Sequence, residues 1–312
     1  MKENKIWNDY LPEDMQEHWT VYECLKESED SSTFLVKETV TGILCVLKWG
    51  RNRQAEFLRN EMEIMEKMAD RKLSGIPKTY RIFEENGKVY LVREYIEGMS
   101  LAQMVLQKGG ISEAEIYRIS RKICQTAEQF QNPDEPMIHR DIKPENIVVT
   151  PGDEVVFIDF GTMRSYKKDG SRDTFVVGTR GTAAPEQYGY TQTDQRTDVY
   201  AIGQTMLYMV SESYEMNQLS ECAVSRRMKK IIEKACSFEP DKRYGDAAQL
   251  RRAVEKCQAN NRKKVYKKAG AVFGLIAAGY ILAIFSQDGT VIENKGLKLQ
   301  NRVRQKNRYR QR

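Results

Sequence analysis

Apolar and β-branched residues alternate with polar ones early in the chain, at Phe34–Glu38, Ile43–Trp49 and Val89–Tyr95, and this period predicts strands. Between the second and third runs the spacing changes. Phe57, Ile64, Met65 and Met68 fall at i, i+7, i+8 and i+11, one apolar stripe of a helix. From about residue 100 to 257 the helical period dominates, interrupted at 137–160 by short strand-like runs. The pattern predicts an α+β chain: a small antiparallel β lobe with one helix, then a larger helical lobe. Residues 1–18 are polar, with scattered Trp7, Tyr10 and Leu11, and carry no chemistry of their own.

A different pattern closes the chain. Residues 269–285 form an uncharged apolar run of 17, preceded by Lys263, Lys264, Lys267 and Lys268. At about 1.5 Å per residue such a helix reaches roughly 25 Å, near the lower limit for crossing a bilayer. A buried C-terminal helix of the globular body is the alternative. The run is apolar on every face, however, and sits between a basic linker and a basic tail, so a single transmembrane helix is expected. Gly270 and Gly274 have the G-x-x-x-G spacing that packs two spans together, which adds a homodimer to the expected partners. The expected organisation is an N-terminal extension (1–19), two lobes (20–97 and 98–258), a juxtamembrane linker (259–268), the span, and a basic tail (286–312).

Charge sharpens that division. Residues 259–312 hold 13 Lys/Arg against two Asp/Glu, whereas 1–258 hold 37 basic and 42 acidic residues. The lysines before the apolar run place the body on the cytoplasmic side of a cell membrane, yet eight Lys/Arg in 295–312 favour the same side for the tail. A basic tail also suits an anionic surface; no nucleic-acid partner is expected. The 40% hydrophobic and 30% charged content excludes a multi-span or disordered chain. Six cysteines (24, 45, 124, 222, 236 and 257) lack C-x-x-C or regular spacing, which excludes a zinc ribbon and a disulfide scaffold. Two histidines, His18 and His139, leave little room for a histidine metal site.

The chemistry concentrates in His139-Arg140-Asp141-Ile142-Lys143-Pro144-Glu145-Asn146 and in Asp159-Phe160-Gly161. Two β-branched runs between them flank Gly152-Asp153, which predicts a hairpin with glycine first in a type II′ turn. With those residues at the turn centre, opposite positions sum to 305 and Asn146 faces Asp159. An amide oxygen and a carboxylate meeting there suit Mg2+, which takes few protein ligands and shares the rest with phosphates. Asp141 can orient a hydroxyl or take its proton, and Lys143 can place a positive charge on a transferring phosphoryl group.

His139–Asn146, the Ile158-Asp159-Phe160-Gly161 that follows and Gly178–Gln187 together resemble the eukaryotic-type Ser/Thr protein kinase family, in its bacterial single-span form. The resemblance covers about residues 20–257. It implies ATP and Mg2+ as cofactors, a protein bearing Ser or Thr as acceptor, Asp141, Lys143 and Asn146 as catalytic residues, and Asn146 and Asp159 as metal ligands. Lys48 resembles the lysine that binds the α- and β-phosphates. Of the glutamates on the following helix, only Glu61 falls on the apolar stripe, and a lone carboxylate there needs a cation, so Glu61 is assigned to Lys48. Glu186 is expected to pair with Arg243, Asp198 to hold the catalytic-loop backbone, and His139 to be a packing residue. Lys143 with Thr179 resembles the Ser/Thr branch, and Thr179 is expected in the substrate-positioning loop. Arg140 implies control by a phosphorylated activation segment, with Ser165, Ser171 and Thr174 as candidates.

The chain departs from the family in three places. The expected glycines of the phosphate-covering loop are Lys26, Ser28 and Ser31, with acidic Glu29 and Asp30 between, which predicts weak ATP affinity. The hinge assigns the Glu94 carbonyl and Ile96 amide to adenine but puts Arg93 where an apolar residue is usual; Glu61 is one candidate partner for it. The stretch from Gly203 to Ile231 is short. These departures keep a nucleotide-binding pseudokinase switch and a small-molecule kinase as rivals.

Overall fold

The computed structural model describes residues 11–69, 71, 73–131, 135–166, 178–189 and 192–261. The apolar run 269–285, the basic tail, Ser171 and Thr174 lie outside them. The chain divides into two compact units, Met1–Cys257 and Gln258–Arg312.

The N-terminal part of the first unit is a five-stranded antiparallel sheet in the order β1-β2-β3-β5-β4, formed by Trp19–Glu27, Ser31–Glu38, Leu44–Gly50, Lys88–Glu94 (β5) and Thr79–Glu85 (β4). The three predicted strands are there, shifted by one to three residues at their ends. β1 is an edge strand, mostly exposed and bulged at Val21/Glu23 and Cys24/Lys26, so it shows little alternation in sequence. One sheet face packs Phe34, Leu47, Tyr90 and Val92 with Leu11 and Met15 from the N-terminal segment. The other takes α2 (Arg53–Ala69), whose Ala55 and Leu58 lie on Val89 and Leu91. α1 is the single turn Glu13–Gln16.

The second part is helical. α3 (Leu101–Lys108) and α4 (Glu113–Phe130) each begin with a capping box, Ser100 with Gln103 and Ser112 with Glu115. α5 (Gln195–Ser211), capped by Asp194, is buried along most of its length and packs against α4 and α6 (Arg226–Ala235). Ile119, Ile123, Phe130, Ile202, Leu207, Ile232 and Leu250 belong to one core. Between α5 and α6 lies only the 3-10 turn Met216–Ser220 as regular structure, in keeping with the shortness read from the sequence.

The hairpin carrying the chemistry differs from expectation by one residue. Ile147 pairs with Phe157, Val148 with Val156 and Val149 with Val155, so opposite positions sum to 304. Asp153 N–H donates to the Thr150 carbonyl, and Asp153, not Gly152, is left-handed at φ 68°. This is a three-residue connection, Pro151-Gly152-Asp153, with proline suited to the first corner and aspartate tolerating the left-handed position. Asn146 therefore faces Ile158, whose N–H donates to its carbonyl at 3.0 Å. Asp159 lies one residue beyond that pairing.

Candidate active site

A cavity of about 550 Å³ is lined by Lys48, Glu61, Arg93, Asp141, Lys143, Asn146, Asp159 and Thr179. Strand alternation places Lys48 on the face that α2 covers. Its ammonium donates to both carboxylate oxygens of Glu61, at 3.0 and 3.2 Å, and lies 3.7 Å from Asp159. Burial pushes the Glu61 carboxyl above its ordinary range, Lys48 opposes this most strongly, and Asp159 adds to it. The assignment of Glu61 from its apolar stripe agrees with this geometry.

The loop after the two-residue strand β6 (Met137–Ile138) is fixed from behind. Asp198, fully buried on α5, accepts the backbone N–H groups of His139 and Arg140, each at 3.0 Å. Burial lifts the Asp198 carboxyl to about 6 in spite of those two donors. Arg140 takes a left-handed backbone, φ 68°, while its Nε donates to the Thr162 carbonyl and its own carbonyl accepts from Gln187. His139 packs among Phe130, Phe157 and Phe160, and burial lowers its pKa to about 4. It is a neutral packing residue, as read from the sequence.

In front, three residues converge. Lys143 Nζ donates to Asp141 Oδ2 at 2.8 Å and to Thr179 Oγ1 at 2.6 Å, and the Thr179 hydroxyl donates to Asp141 Oδ1 at 2.8 Å. Asn146 donates its amide N–H to the Asp141 carbonyl and to Oδ2. That leaves the Asn146 side-chain oxygen, an acceptor, to ligate a cation.

Asp159 keeps its side chain 44% exposed at the cavity, with Oδ1 accepting the Gly161 N–H at 3.3 Å. Burial of the segment works against its charge, but Lys48 and the Gly161 N–H outweigh it and hold the carboxyl below its ordinary value. An ionised carboxylate and an amide oxygen lining one cavity are a fitting pair for Mg2+. Among the described residues no group of three or more His, Cys, Asp or Glu could enclose a cation, so phosphates and water would supply the remaining ligands.

Several contributors carry no sequence motif. Asn60, beside Glu61 on α2, donates to the carbonyls of Gly161 and Met163 at 2.9 and 2.8 Å and ties the Asp-Phe-Gly segment to the helix. Gly161 sits so close to Phe57 that an added Cβ would lie 3.1 Å from its side chain. The β1–β2 tip closes as a short turn, with Ser28 N–H donating to the Ser31 carbonyl. Asp30 in that turn accepts from Arg51 Nε at 2.8 Å and Asn52 Nδ2 at 3.1 Å, which fastens the tip to the β3–α2 connection.

The remaining expectations divide. Glu186 accepts from both terminal nitrogens of Arg243, at 2.7 and 2.9 Å, as expected. Arg93 does not pair with Glu61, because Lys48 holds that carboxylate; instead its Nη1 donates to the Glu94 carbonyl at 3.2 Å. Glu94 ends β5, and Ile96 follows it in half-buried irregular chain. Ser165 is part of the two-residue strand Arg164–Ser165, paired with Met137.

A β lobe over a helical lobe, with a closed lysine–glutamate pair and an aspartate–lysine–asparagine loop between them, defines a protein kinase cleft. A family model described as "Protein kinase domain" matches residues 20–264, and the chain belongs to that family. It is 29% identical over 218 residues to "Serine/threonine-protein kinase D" of Synechocystis sp., covering 64% of this chain and 42% of that protein. To "Serine/threonine-protein kinase B" of the same organism it is 30% identical, covering 58% and 34%. To "Serine/threonine-protein kinase PknB" of Mycolicibacterium smegmatis it is 30% identical, covering 52% and 29%. The chain thus spans less than half the length of these relatives.

Proposed function

We propose that the chain is an ATP-dependent Ser/Thr protein kinase. One observation carries the reading: Asp141 and Lys143 converge on a single hydroxyl oxygen, that of Thr179, in a cleft where Lys48 and Glu61 are already paired. An acceptor hydroxyl entering beside Thr179 would meet the same two groups. Asp141 orients it and takes its proton, while Lys143 offsets charge on the phosphoryl oxygens. Lys48, positioned by Glu61, holds the α- and β-phosphates; Asn146 and Asp159 would hold Mg2+, which when bound would neutralise charge on the phosphates. The Glu94 carbonyl and Ile96 amide receive the adenine. Arg140 reads a phosphate on the activation segment, at Ser171 or Thr174, placed there by autophosphorylation; mass mapping after incubation with ATP finds one of them modified or removes this part.

Asp141→Ala is expected to abolish transfer from labelled ATP to itself and to a generic basic protein while Mg-ATP still binds. Equal transfer by the variant would refute the assignment. The glycine-free tip with Glu29 and Asp30 favours a second reading, a nucleotide-binding switch without transfer, and the same assay separates the two.

Residues 269–285 anchor the kinase to the cell membrane, with the catalytic body cytoplasmic and the span available for pairing. Carbonate extraction of membranes from cells making the full chain tests this: release into the soluble fraction overturns it. Among the described residues no helix is long and apolar enough to cross a membrane.

A further inference from the structure

Arg93 belongs to the cleft. The β3–β5 register pairs Lys48 with Leu91 and Val46 with Arg93, so alternation places Arg93 on the same face as Lys48. It is 5% exposed and lines the cavity alongside Lys48, Glu61 and Asp159. A guanidinium buried this deeply ordinarily has a carboxylate in contact. Among the described residues, this one has no ion pair within 4.0 Å. Its Nη1 reaches the Glu94 carbonyl, and its Nε is buried with no hydrogen-bond partner. A buried cation with no carboxylate beside it, on the wall of a ligand-sized cavity, is stabilised by an acceptor entering that cavity.

The position of that acceptor follows from the Glu94 carbonyl. In the kinase reading that carbonyl would be the first hinge acceptor for a purine, so the guanidinium donating to it would stand at the inner edge of the base site, near the purine 6-position. Arginine has five N–H donors and no acceptor. A 6-amino group, as in adenine, presents donors toward it, whereas a 6-oxo group presents an acceptor. Guanine offers O6 and N7 together, the pair that arginine binds most commonly among bases. Guanine N1–H, also a donor, can use the Glu94 carbonyl.

We propose that Arg93 reads the 6-position of the nucleobase and admits Mg-GTP as a second phosphoryl donor beside Mg-ATP. The proposal rests on the nucleotide occupying this cleft as the kinase reading places it. The transfer is otherwise the same. The bond from the γ-phosphorus to the β–γ bridging oxygen breaks as the bond to the acceptor hydroxyl oxygen forms, the hydroxyl proton goes to Asp141, and GDP leaves.

The test uses the full chain and two readouts, calorimetric titration with Mg-ATP, Mg-GTP and Mg-ITP, and transfer of labelled γ-phosphate. For the native chain the GTP and ITP dissociation constants are expected within about tenfold of that for ATP. Arg93→Met is expected to worsen the GTP:ATP ratio by at least about tenfold, the scale of one lost arginine–purine contact, with Arg93→Lys intermediate. ITP should follow GTP, since it shares the 6-oxo group and lacks the 2-amino group. A ratio unmoved by either substitution, or more than about hundredfold native preference for ATP, overturns the proposal. Binding of neither nucleotide overturns it together with the kinase reading. A ratio that shifts as expected without transfer to any acceptor supports the base contact but overturns GTP as a phosphoryl donor together with the transferase reading.

Discussion

The Thr179 hydroxyl donates to Asp141 at 2.8 Å while accepting from Lys143 at 2.6 Å, so one threonine bridges the two charged groups proposed to meet the acceptor. The bridge fixes the Asp141 carboxylate in one rotamer, with Asn146 holding its other oxygen. Thr179→Ala should therefore lower kcat for transfer to a basic protein by about tenfold to a hundredfold, and Thr179→Ser should restore most of it. An alanine variant with undiminished kcat would show the bridge to be incidental.

The Lys48–Glu61 pair is mostly buried, at 12% and 2% side-chain exposure. Removing the cation leaves a desolvated carboxylate, so Lys48→Met should destabilise the fold by about 3 kcal/mol at neutral pH. The sign of its pH dependence follows from burial, which raises the Glu61 carboxyl in the folded state. Folding then favours the protonated form, and the penalty grows as pH rises above the ordinary carboxylate range. Denaturant melts at pH 5 and pH 8 should show the larger loss at pH 8.

Arg243 is fully buried and meets Glu186 through two hydrogen bonds, while also serving the carbonyls of Ser237, Phe238 and Arg196. Thr197 donates to the same carboxylate. Arg243→Met should cost about 3–5 kcal/mol of stability, because an unpaired charge stays buried at Glu186. Urea unfolding checks this; a loss below about 1 kcal/mol, the range of an exposed pair, would contradict it.

His139 gives a second pH signature. Its folded-state pKa of about 4 lies below the ordinary 6.5. The unfolded chain then binds the extra proton between those values, so this contribution is complete above pH 6.5 and is lost as pH falls toward 4. The loss is about 3 kcal/mol. Asp198 works in the opposite direction, because its pKa of about 6 exceeds the ordinary 3.8 and favours the folded state as pH falls through that window. His139→Phe keeps the aromatic cluster and removes only the histidine contribution. The stability difference between variant and native chain should move by about 3 kcal/mol in the variant's favour from pH 7 to pH 4.

Much of this site is legible in the order of residues alone, and the exceptions have physical causes. Glu61 was identifiable because a single carboxylate on an apolar helix stripe requires a cation, which is a local rule. The hairpin register failed by one because Gly152-Asp153 matches a two-residue turn while Pro151 in fact leads a three-residue one. Asn60 gave no signal, since its partners are two backbone carbonyls a hundred residues away. Arg93 is recognisable as out of place, but its partner depends on which of two cations reaches Glu61, and that is decided by the reach of Lys48 from β3 to the helix that covers it.

The fastening of the β1–β2 tip by Asp30 to Arg51 and Asn52 has a kinetic corollary. In the kinase reading a nucleotide would lie under a roof that includes Lys26, Ser31 and Ser32 and is tied back to the β3–α2 connection. Turnover would then follow the chemical step and the residence of the acceptor more than the lifting of that roof.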